Sequence, residues 1–360
     1  MIFKSTIRGA YRAFTGLRSL TAWPGGGGLR IFYGGARAGD IGGPLVKVKR
    51  LKAHFPEHPW GFNLVYALSG APYLPGVALA LMKRRGVAIV VNQNGVFTPA
   101  WYRGDWCAKN AEMAAAYHMA DHVLWQSEFC RAAAERFLGP REGVGEVLYN
   151  AVDTNHYTPA ETAGQGGGFN FLLTGKIDSH LFYRIDASLR GLAAARAQGL
   201  DARLTLAGWV SPEARARCRD LSAELGLEDV VFLSGPYGQR EAPAIYRAAD
   251  AYLMLKHNDP CPNTVIEAMA CGLPVLYLAT GGVPELVGDA AGVGLACPDD
   301  WDKLHVPGAR AVADGMAAIL DGRGQAMGRA ARARAVARFD MGPWIERHRD
   351  LFEALLEAGS

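Results

Sequence analysis

The sequence lacks an excess of positive charge, because 38 lysines and arginines face 35 aspartates and glutamates for a net charge of +3. This near balance excludes a protein that coats nucleic acid through bulk basic charge. The six cysteines form no Cys-x-x-Cys pair and no cluster with zinc-finger spacing, and they are too few for a disulfide-built scaffold. No run of 18 apolar residues is present, so no membrane-spanning helix is predicted. These absences favour a cytoplasmic protein that does not bind nucleic acid.

No secretory signal peptide is predicted over residues 1–23, which contain no long apolar block and carry four cations without an acid. Over residues 2–20, apolar side chains instead recur at helical spacing with cations between them. These residues are Phe3, Ile7, Tyr11, Phe14 and Leu17, and Lys4, Arg8, Arg12 and Arg18. One interpretation is an amphipathic helix that lies on an anionic membrane surface, which would place the protein at the periphery of the inner membrane. The other, of equal weight, is a terminal helix packed on its own domain.

A length of 360 residues predicts two domains of roughly 150–200 residues each. In the first half strands and helices alternate, which predicts a parallel sheet wrapped by helices. The glycine-rich turn after the first strand lacks Gly-x-Gly-x-x-Gly spacing, so a dinucleotide is not indicated. The predicted strands are 29–33, 62–67, 87–92, 122–126 and 145–149, and the predicted helices are 44–54, 73–85, 107–119 and 128–138.

Residues 158–168, rich in Gly, Pro and Thr, are the predicted linker, after which the alternation restarts. An arginine-rich helical stretch over 323–338 is interpreted as a solvated face. We expect an N-terminal domain over 1–158, a C-terminal domain over 159–340, and a last helix within 341–360 that packs back on the first domain. The predicted strands are 169–174, 202–207, 230–233, 250–255 and 274–278, and the predicted helices are 185–198, 212–225, 241–248, 264–271, 310–320 and 343–357.

Residues 256–285, KHNDPCPNTVIEAMACGLPVLYLATGGVPE, carry most of the chemical information. Two prolines disfavour a helix before position 262, and the following TVIEAMAC favours a short helix that Asn263 or Thr264 caps. The free N–H groups of its first turn would bind an anion, for which phosphate is the usual partner.

Asp259 and Glu267 flank this anion site in sequence. Two carboxylates beside a phosphate suit a nucleotide sugar, because one can accept hydrogen bonds from sugar hydroxyls and the other from ribose hydroxyls. The alternative is an acidic helix start that interacts with the helix dipole and binds no ligand. Gly281 and Gly282 follow the next strand and allow either a close backbone approach to a ligand or a simple tight turn.

The order D-x7-E, AMACGLPV and GGVPELV resembles the signature of the GT-B retaining glycosyltransferases of family 4, in the glycogen-synthase-like superfamily. The resemblance covers about residues 120–340 and is only architectural over 1–119. It implies the GT-B fold, an α/β fold in which two Rossmann-like domains face each other across a cleft, the first binding the acceptor and the second the nucleotide sugar. Other segments in the family's order are ADHVLWQSEFCRAAAERF, YNAVDTNHYTP, LLTGKIDS and LEDVVFLSGPYGQREAPAIYRAADAYL.

The sequence departs from the family pattern in two places. The first acid is Asp259 rather than glutamate, and Pro260-Cys261-Pro262 replaces Gly-Phe-Gly. Lys176 falls on the family's arginine at the diphosphate, but the family's lysine is here Tyr183, which leaves Arg184 as the nearest cation. An arginine can neutralise a diphosphate through two hydrogen bonds. The alternative is that Arg184 is a surface residue at a helix start.

The resemblance implies transfer of a sugar from a nucleoside-diphosphate sugar to a hydroxyl of a glycan, lipid-linked or small-molecule acceptor, with retention at the anomeric carbon. It implies no cofactor and no metal, and no Asp-x-Asp pair is assigned to one. Two alternatives remain: a sugar-nucleotide epimerase of the same fold, and a non-catalytic protein that binds glycans or lipids. The predicted catalytic residues are Asp259, Lys176 and Arg184, and the predicted donor-binding residues are Glu267, Asn263, Thr264, Gly175, Gly281 and Gly282.

Overall fold

The computed structural model describes residues 2–25, 27–39, 42–161 and 168–358, with side chains from residue 6 onward. Its contacts divide the chain into two compact units, Met1–Tyr149 with Gly342–Ser360, and Asn150–Met341. The predicted boundary after residue 158 lies inside the second unit, because the segment from Asn150 onward packs there; the Val152 N–H, for example, donates to the Phe339 carbonyl at 2.8 Å. Residues 162–167 of the predicted linker lie outside the described residues.

The first unit contains a parallel sheet of order β1-β2-β3-β4-β5 with helices between the strands. Strands β2, β3 and β4 are buried along their whole length, which is why they read as continuous apolar runs rather than as alternating ones. The elements are α1 (Ile2–Arg18), a 3₁₀ turn (Ser19–Thr21), β1 (Ile31–Phe32), α2 (Gly43–His54), β2 (Leu64–Leu68), α3 (Gly76–Arg84), β3 (Ala88–Gln93), α4 (Trp106–Met119), β4 (His122–Trp125), α5 (Glu128–Leu138) and β5 (Val144–Val147).

The second unit contains a parallel sheet of order β11-β10-β9-β6-β7-β8. Its core lies between this sheet and helices α6, α7 and α11. The elements are β6 (Phe169–Thr174), a 3₁₀ turn (Ser179–Leu181), α6 (Tyr183–Ala197), β7 (Ala202–Ala207), α7 (Pro212–Glu224), β8 (Val231–Gly235), α8 (Ala242–Arg247), β9 (Ala251–Met254), α9 (Asn263–Ala270), β10 (Val275–Leu278), α10 (Val283–Val287), β11 (Gly292–Leu295), α11 (Ala309–Leu320), α12 (Gly324–Phe339) and α13 (Met341–Ala358), the last of which belongs mainly to the first unit.

Among the α-helices and strands of the described residues, α10 and β11 have no counterpart in the predictions. Helix α10 has five residues, too few for a helical pattern. Strand β11 contains Gly292 and Gly294, which weaken the apolar signal of a strand. Gly292 is required because a Cβ there would lie 2.0 Å from the Val275 carbonyl oxygen of β10.

The arginine-rich helix α12 is not simply a solvated face. The Arg332 guanidinium donates to the carbonyls of Tyr157, Ala270 and Thr154 at 2.7–3.0 Å. Ala270 is the last residue of α9, so Arg332 satisfies a carbonyl that the helix end leaves free. Arg334 acts in the same way on α10, donating to the Leu286 carbonyl at 2.6 Å. The prediction for this stretch is therefore wrong at these two arginines.

Helix α13 packs on the first unit through a buried and an ionic contact. The His348 Nε2 lies 3.1 Å from the Tyr66 hydroxyl, and the Phe352 ring stands edge-on to Phe55 at 5.2 Å. At the other contact, Arg347 donates two hydrogen bonds to the Glu146 carboxylate of β5, at 2.8 and 2.9 Å. No helix in the described part of the chain is both long and apolar enough to cross a bilayer.

We expect Glu146→Gln to weaken the packing of α13 and to reduce acid sensitivity. Hydrogen bonds from His122 and then Arg347 lower the pKa of Glu146 from 4.5 to about 2, against an opposing effect of burial. The stabilisation is therefore complete above about pH 5 and is lost as the pH falls towards 2. Because the group is partly solvated, the expected loss at pH 7 is about 1 kcal/mol or less.

The measurement is the free energy of unfolding from pH 7 to pH 3, with the exposed Glu353→Gln on the same helix as control. The Glu146 variant should lose less stability than the wild type between these pH values. Parallel pH dependences of the wild type and Glu146→Gln would contradict the assignment.

Candidate functional site

The sheet of the second unit reverses its strand order between β6 and β9, which are neighbours although three helices and two strands separate them in sequence. In parallel α/β sheets, ligands bind at the carboxyl ends of the strands at such a reversal. The loops that begin there are those after Thr174 of β6 and after Met254 of β9. These two loops and the helices that follow them, α6 and α9, contain most of the predicted site residues.

Asp259 lies in the loop after β9 with its side chain 14% exposed. One carboxylate oxygen accepts from the Lys256 ammonium at 2.7 Å, and the other accepts from the Cys261 N–H at 3.3 Å. The preceding Asn258 has a left-handed backbone, with φ of 53°, which turns the chain towards Asp259. The carboxylate is thus oriented by its own loop and keeps some access to solvent.

Gly281 and Gly282 pack against the main chain of Asp259. A Cβ at Gly281, where φ is +71°, would lie 2.5 Å from the Asp259 carbonyl oxygen. The Gly282 N–H donates to that same oxygen at 2.9 Å. In this structure the pair of glycines therefore serves a tight turn that supports Asp259, the simpler of the two interpretations of the sequence.

Helix α9 begins at Asn263, with Pro262 in the capping position and no side-chain cap. The prediction that Asn263 or Thr264 caps this helix is therefore wrong, because both lie inside its first turn. The Asn263 and Thr264 N–H groups donate to no described residue. The Asn263 Oδ1 atom is buried without a hydrogen-bond partner among the described residues. The first turn of α9 thus retains free donors, as an anion site requires.

Glu267 is buried, with 4% of the residue exposed, so its carboxylate does not lie on an open surface. The Tyr246 hydroxyl donates to its Oε2 at 3.0 Å. Burial and the neighbouring Glu267 raise the pKa of Tyr246 well above its usual value, so this hydroxyl remains protonated and a donor.

Arg184 lies in the first turn of α6, beneath the turn after β6. It is buried, so the alternative of a surface residue is wrong. Its Nη2 donates to the Thr174 carbonyl at 3.1 Å, and its Nε is buried without a partner in the described structure. A Cβ at Gly175, where φ is +138°, would lie 3.3 Å from Nη1, so glycine leaves the guanidinium room against the turn. Lys176 is exposed, with its ammonium 5.2 Å from the centre of the Trp209 ring.

Arg184 and the start of α9 both lie near Tyr252. Arg184 donates to the Thr174 carbonyl, and the Thr174 hydroxyl lies 2.9 Å from the Tyr252 hydroxyl. Burial raises the pKa of Tyr252, and Arg184, Thr174 and Thr264 are close enough to oppose that rise. The buried cation and the first turn of α9 are therefore neighbours of the same tyrosine.

Tyr183, at the position of the family's lysine, accepts a hydrogen bond from the His257 N–H at 3.2 Å. The His257 ring is buried, and neither of its nitrogens has a partner among the described residues. Burial, and next the nearby His305, lower the pKa of His257 below its usual value. The histidine is therefore neutral at pH 7. Sequence reasoning did not assign it, since an isolated histidine carries no spacing signal.

One Asp-x-Asp triplet, Asp300-Trp301-Asp302, lies in the loop after β11. Its Asp300 carboxylate accepts from the N–H groups of Asp302 and Lys303 and lies 2.8 Å from His305 Nε2. The hydrogen bond from His305 is the main reason that its pKa falls to about 2. The Asp300 carboxylate therefore stabilises a turn within its own loop.

Two further glycines, Gly208 and Gly235, extend the site and were missed. A Cβ at Gly208 would lie 2.2 Å from the Gly175 carbonyl oxygen, and the Gly208 N–H donates to the Gly235 carbonyl at 2.7 Å. The carboxyl ends of β6, β7 and β8 are thereby tied together backbone to backbone. A signal was available, since Gly208 directly follows the predicted strand 202–207 and Gly235 lies two residues after the predicted strand 230–233.

Comparison with known proteins supports a glycosyltransferase relationship for this unit. Residues 182–333 match the family model described as glycosyl transferases group 1. D-inositol 3-phosphate glycosyltransferase of Saccharomonospora viridis is 37% identical over 127 residues, which cover 32% of this chain and 29% of that protein. The Mycolicibacterium smegmatis enzyme of the same name is 29% identical over 206 residues, covering 53% of this chain and 43% of the other. The aligned segments thus span less than half the length of these relatives.

Solved structures extend the likeness to both units. Sucrose-phosphate synthase of Thermosynechococcus elongatus superposes with a TM-score of 0.65 at 20% identity, covering 88% of this chain and 78% of the other. HepE of Anabaena, solved in complex with UDP, superposes with a TM-score of 0.68 at 19% identity, covering 86% and 82%. At this identity the likeness concerns the fold, and the two parallel α/β domains are those of GT-B glycosyltransferase structures.

We expect Gly281→Ala to destabilise the protein more than Gly322→Ala does. Both glycines have positive φ, which costs an alanine about 1–2 kcal/mol, but only at Gly281 does the new methyl group meet backbone. Thermal unfolding of the two variants compares the costs, since nothing lies within 4 Å of a Cβ at Gly322. Equal losses would show that the loop of Asp259 moves aside without cost.

Proposed function

We propose that this chain is a retaining glycosyltransferase of family 4 that uses a nucleoside-diphosphate sugar without a metal ion. The observation that carries the proposal is the placement of the buried Arg184 and the uncapped start of α9 around Tyr252, at the reversal point of the sheet. A guanidinium and free backbone N–H groups together suit a diphosphate. The match of residues 182–333 to a glycosyltransferase family model supports the glycosyl transfer in this proposal.

Each group has a role in binding the donor. Arg184, Lys176 and the N–H groups of Asn263 and Thr264 hold the diphosphate. Glu267 accepts hydrogen bonds from the ribose hydroxyls, which requires the ribose to reach a buried carboxylate that already bonds to Tyr246. Gly175 leaves the space in which Arg184 approaches the turn.

The same groups stabilise the transition state. Breaking the anomeric bond places negative charge on the leaving diphosphate, and fixed cations and N–H donors favour that charge without reorganising. Asp259, held by Lys256 and the Cys261 N–H, orients the hydroxyls of the donor sugar as positive charge develops on its ring. The acceptor hydroxyl attacks from the face of the leaving group, and the departing phosphate takes its proton.

We expect Arg184→Met to weaken nucleoside-diphosphate binding by about 1–3 kcal/mol, as loss of a charged hydrogen bond does.

For Asp259→Asn, we expect kcat to fall far more than donor affinity, because the hydroxyls of the donor sugar that Asp259 orients have to be aligned mainly in the transition state. The measurements are calorimetry with UDP, GDP and ADP and turnover with the corresponding sugars. Arg329→Met and Asp314→Asn, at exposed positions outside the site, are the matched controls.

The outcomes separate the alternatives. Free diphosphate released only when an acceptor is added supports transfer, whereas release with a changed sugar and no acceptor indicates an epimerase. Absence of any nucleotide response, or an Arg184→Met variant that binds like the wild type, would contradict the proposed site.

We also propose that the N-terminal region docks on an anionic membrane that supplies a lipid-linked or membrane-bound acceptor. The structure corrects the predicted stripe at Tyr11, whose hydroxyl donates to the Gly35 carbonyl and whose ring packs on Tyr73. The side chain of Phe3 lies outside the described residues. The exposed apolar residues, here named the N-terminal apolar patch, are Ile7, Phe14, Leu17, Leu20, Trp23 and Trp60.

Electrostatic attraction contributes less than the sequence suggests. Arg8 pairs with Glu112 at 2.8 Å, and the Arg18 guanidinium lies 4.8 Å from the centre of the Phe14 ring. Arg12 has no acidic partner among the described residues. The binding energy therefore depends mainly on burial of the apolar patch, with cations adding about 1 kcal/mol each near a charged leaflet.

We expect the triple variant Leu17→Ser, Leu20→Ser, Trp23→Ser to lose co-sedimentation with anionic vesicles. The control carries Val144→Ser, Val306→Ser and Val336→Ser, which remove exposed apolar side chains elsewhere. If both triple variants and the wild type sediment alike, the membrane proposal is wrong, and the donor site is unaffected by that result.

A further inference from the structure

An aromatic cluster lies on the loop of residues 94–105, which follows β3 in the middle of the first sheet. The Phe97 ring stacks on Trp101 with centres 4.9 Å apart and planes at 26°, and it meets Tyr102 edge-on at 4.8 Å. Trp101 nevertheless remains 40% exposed. Tyr102 also meets the indole edge-on, with ring centres 5.6 Å apart, so the accessible part of Trp101 lies beside two further aromatic rings.

The loop is held rigid beneath these rings. The Asn110 side chain on α4 accepts from the Phe97 N–H at 2.9 Å and donates to the Phe97 carbonyl at 2.8 Å. The Trp101 indole N–H donates to the Val96 carbonyl at 3.3 Å, and the Tyr102 N–H donates to the Thr98 carbonyl at 3.0 Å. An aromatic surface ordered in advance loses little conformational entropy when it binds a ligand.

Two neutral hydrogen-bonding side chains lie where this loop begins, and the nearby buried ammonium of Lys47 already donates to the Asn92 amide oxygen on β3 at 3.0 Å. Ser69 follows β2, and its hydroxyl accepts from the Asn94 N–H at 2.8 Å, so both side chains lie at the carboxyl edge of the sheet. The Asn94 amide nitrogen has no hydrogen-bond partner among the described residues. The charges of the loop balance, since Arg103 is accompanied by Asp105, which accepts from the Ala108 N–H as the cap of α4.

We propose that Trp101 and Tyr102 form a platform on which a pyranose ring of the acceptor stacks, so that the acceptor is a neutral carbohydrate chain. This inference rests on the proposed function. The C–H groups of a sugar ring form an apolar face that fits an aromatic ring, while its hydroxyls bond to neutral side chains such as Asn94. An anionic lipid or phosphate would instead require an uncompensated cationic cluster, and this loop offers Arg103 balanced by Asp105. The carboxyl edge of a parallel sheet is also where α/β domains bind small ligands.

The test measures acceptor and donor binding separately, with neutral glucose-, galactose- and mannose-based oligosaccharides as probes. We expect Trp101→Ala to raise the KM for the preferred oligosaccharide, or its Kd by calorimetry, about tenfold, as loss of a central aromatic contact does. Trp101→Phe should retain most of the affinity because it keeps a ring face. Phe97→Leu, which removes the support under Trp101, should resemble Trp101→Ala. Phe232→Ala, at an exposed aromatic residue on β8, is the control.

Affinity for the nucleoside diphosphate should be the same in all four variants and the wild type, and thermal unfolding checks that each is folded. Binding of donor with an acceptor KM unchanged in Trp101→Ala would overturn the platform while leaving the proposed function in place. Oligosaccharide binding that Trp101→Ala abolishes, in a protein that binds no nucleotide, would support the platform and contradict the proposed function. A wild type that binds none of the oligosaccharides would overturn the platform.

Discussion

Direct packing of main chain on main chain, where the strands of the second unit end, is the constraint on which the proposed donor site depends. The Gly175 carbonyl occupies the space of a Cβ at Gly208, and the Asp259 carbonyl occupies that of a Cβ at Gly281. Each of these contacts brings together loops that would otherwise be held apart by at least one side chain. Arg184 reaches the turn after β6 and Asp259 is fixed beside α9 because these glycines leave the room.

The order of elements could be predicted from the sequence because parallel strands buried on both faces appear as apolar runs between helices. Boundaries were close wherever such a run was strong, as at β6, which the structure has as Phe169–Thr174. Strand β11 was not predicted, because its glycines weaken the apolar pattern by which a buried strand is recognised. The cap of α9 was misassigned because residue preference favours Asn263, whereas the position of Pro262 moves the helix start one residue earlier than that preference assumes.

Side-chain direction was the least predictable property, since it depends on partners far away in sequence. Tyr11 belongs to the apolar pattern of α1, yet its hydroxyl donates a hydrogen bond to the Gly35 carbonyl. Arg332 belongs to a run of exposed-looking cations, yet three carbonyls from two distant segments bind it. Arg184 could be nominated from its place beside the family motif, but its burial and its contact with Thr174 required coordinates.

The two halves differ in how much chemistry their sequences reveal, and the physics of their proposed ligands explains why. A diphosphate needs free backbone N–H groups, a cation and glycines at fixed places, so its recognition is written as spacing, and the family model spans 182–333. A sugar ring needs an apolar face and neutral hydrogen-bonding groups, which many combinations of residues provide. Phe97, Trp101 and Tyr102 therefore form no motif, and the role proposed for them rests on the structure, in which Asn110 bonds to both the N–H and the carbonyl of Phe97. A proposed acceptor site in the first unit therefore has to be argued from its geometry.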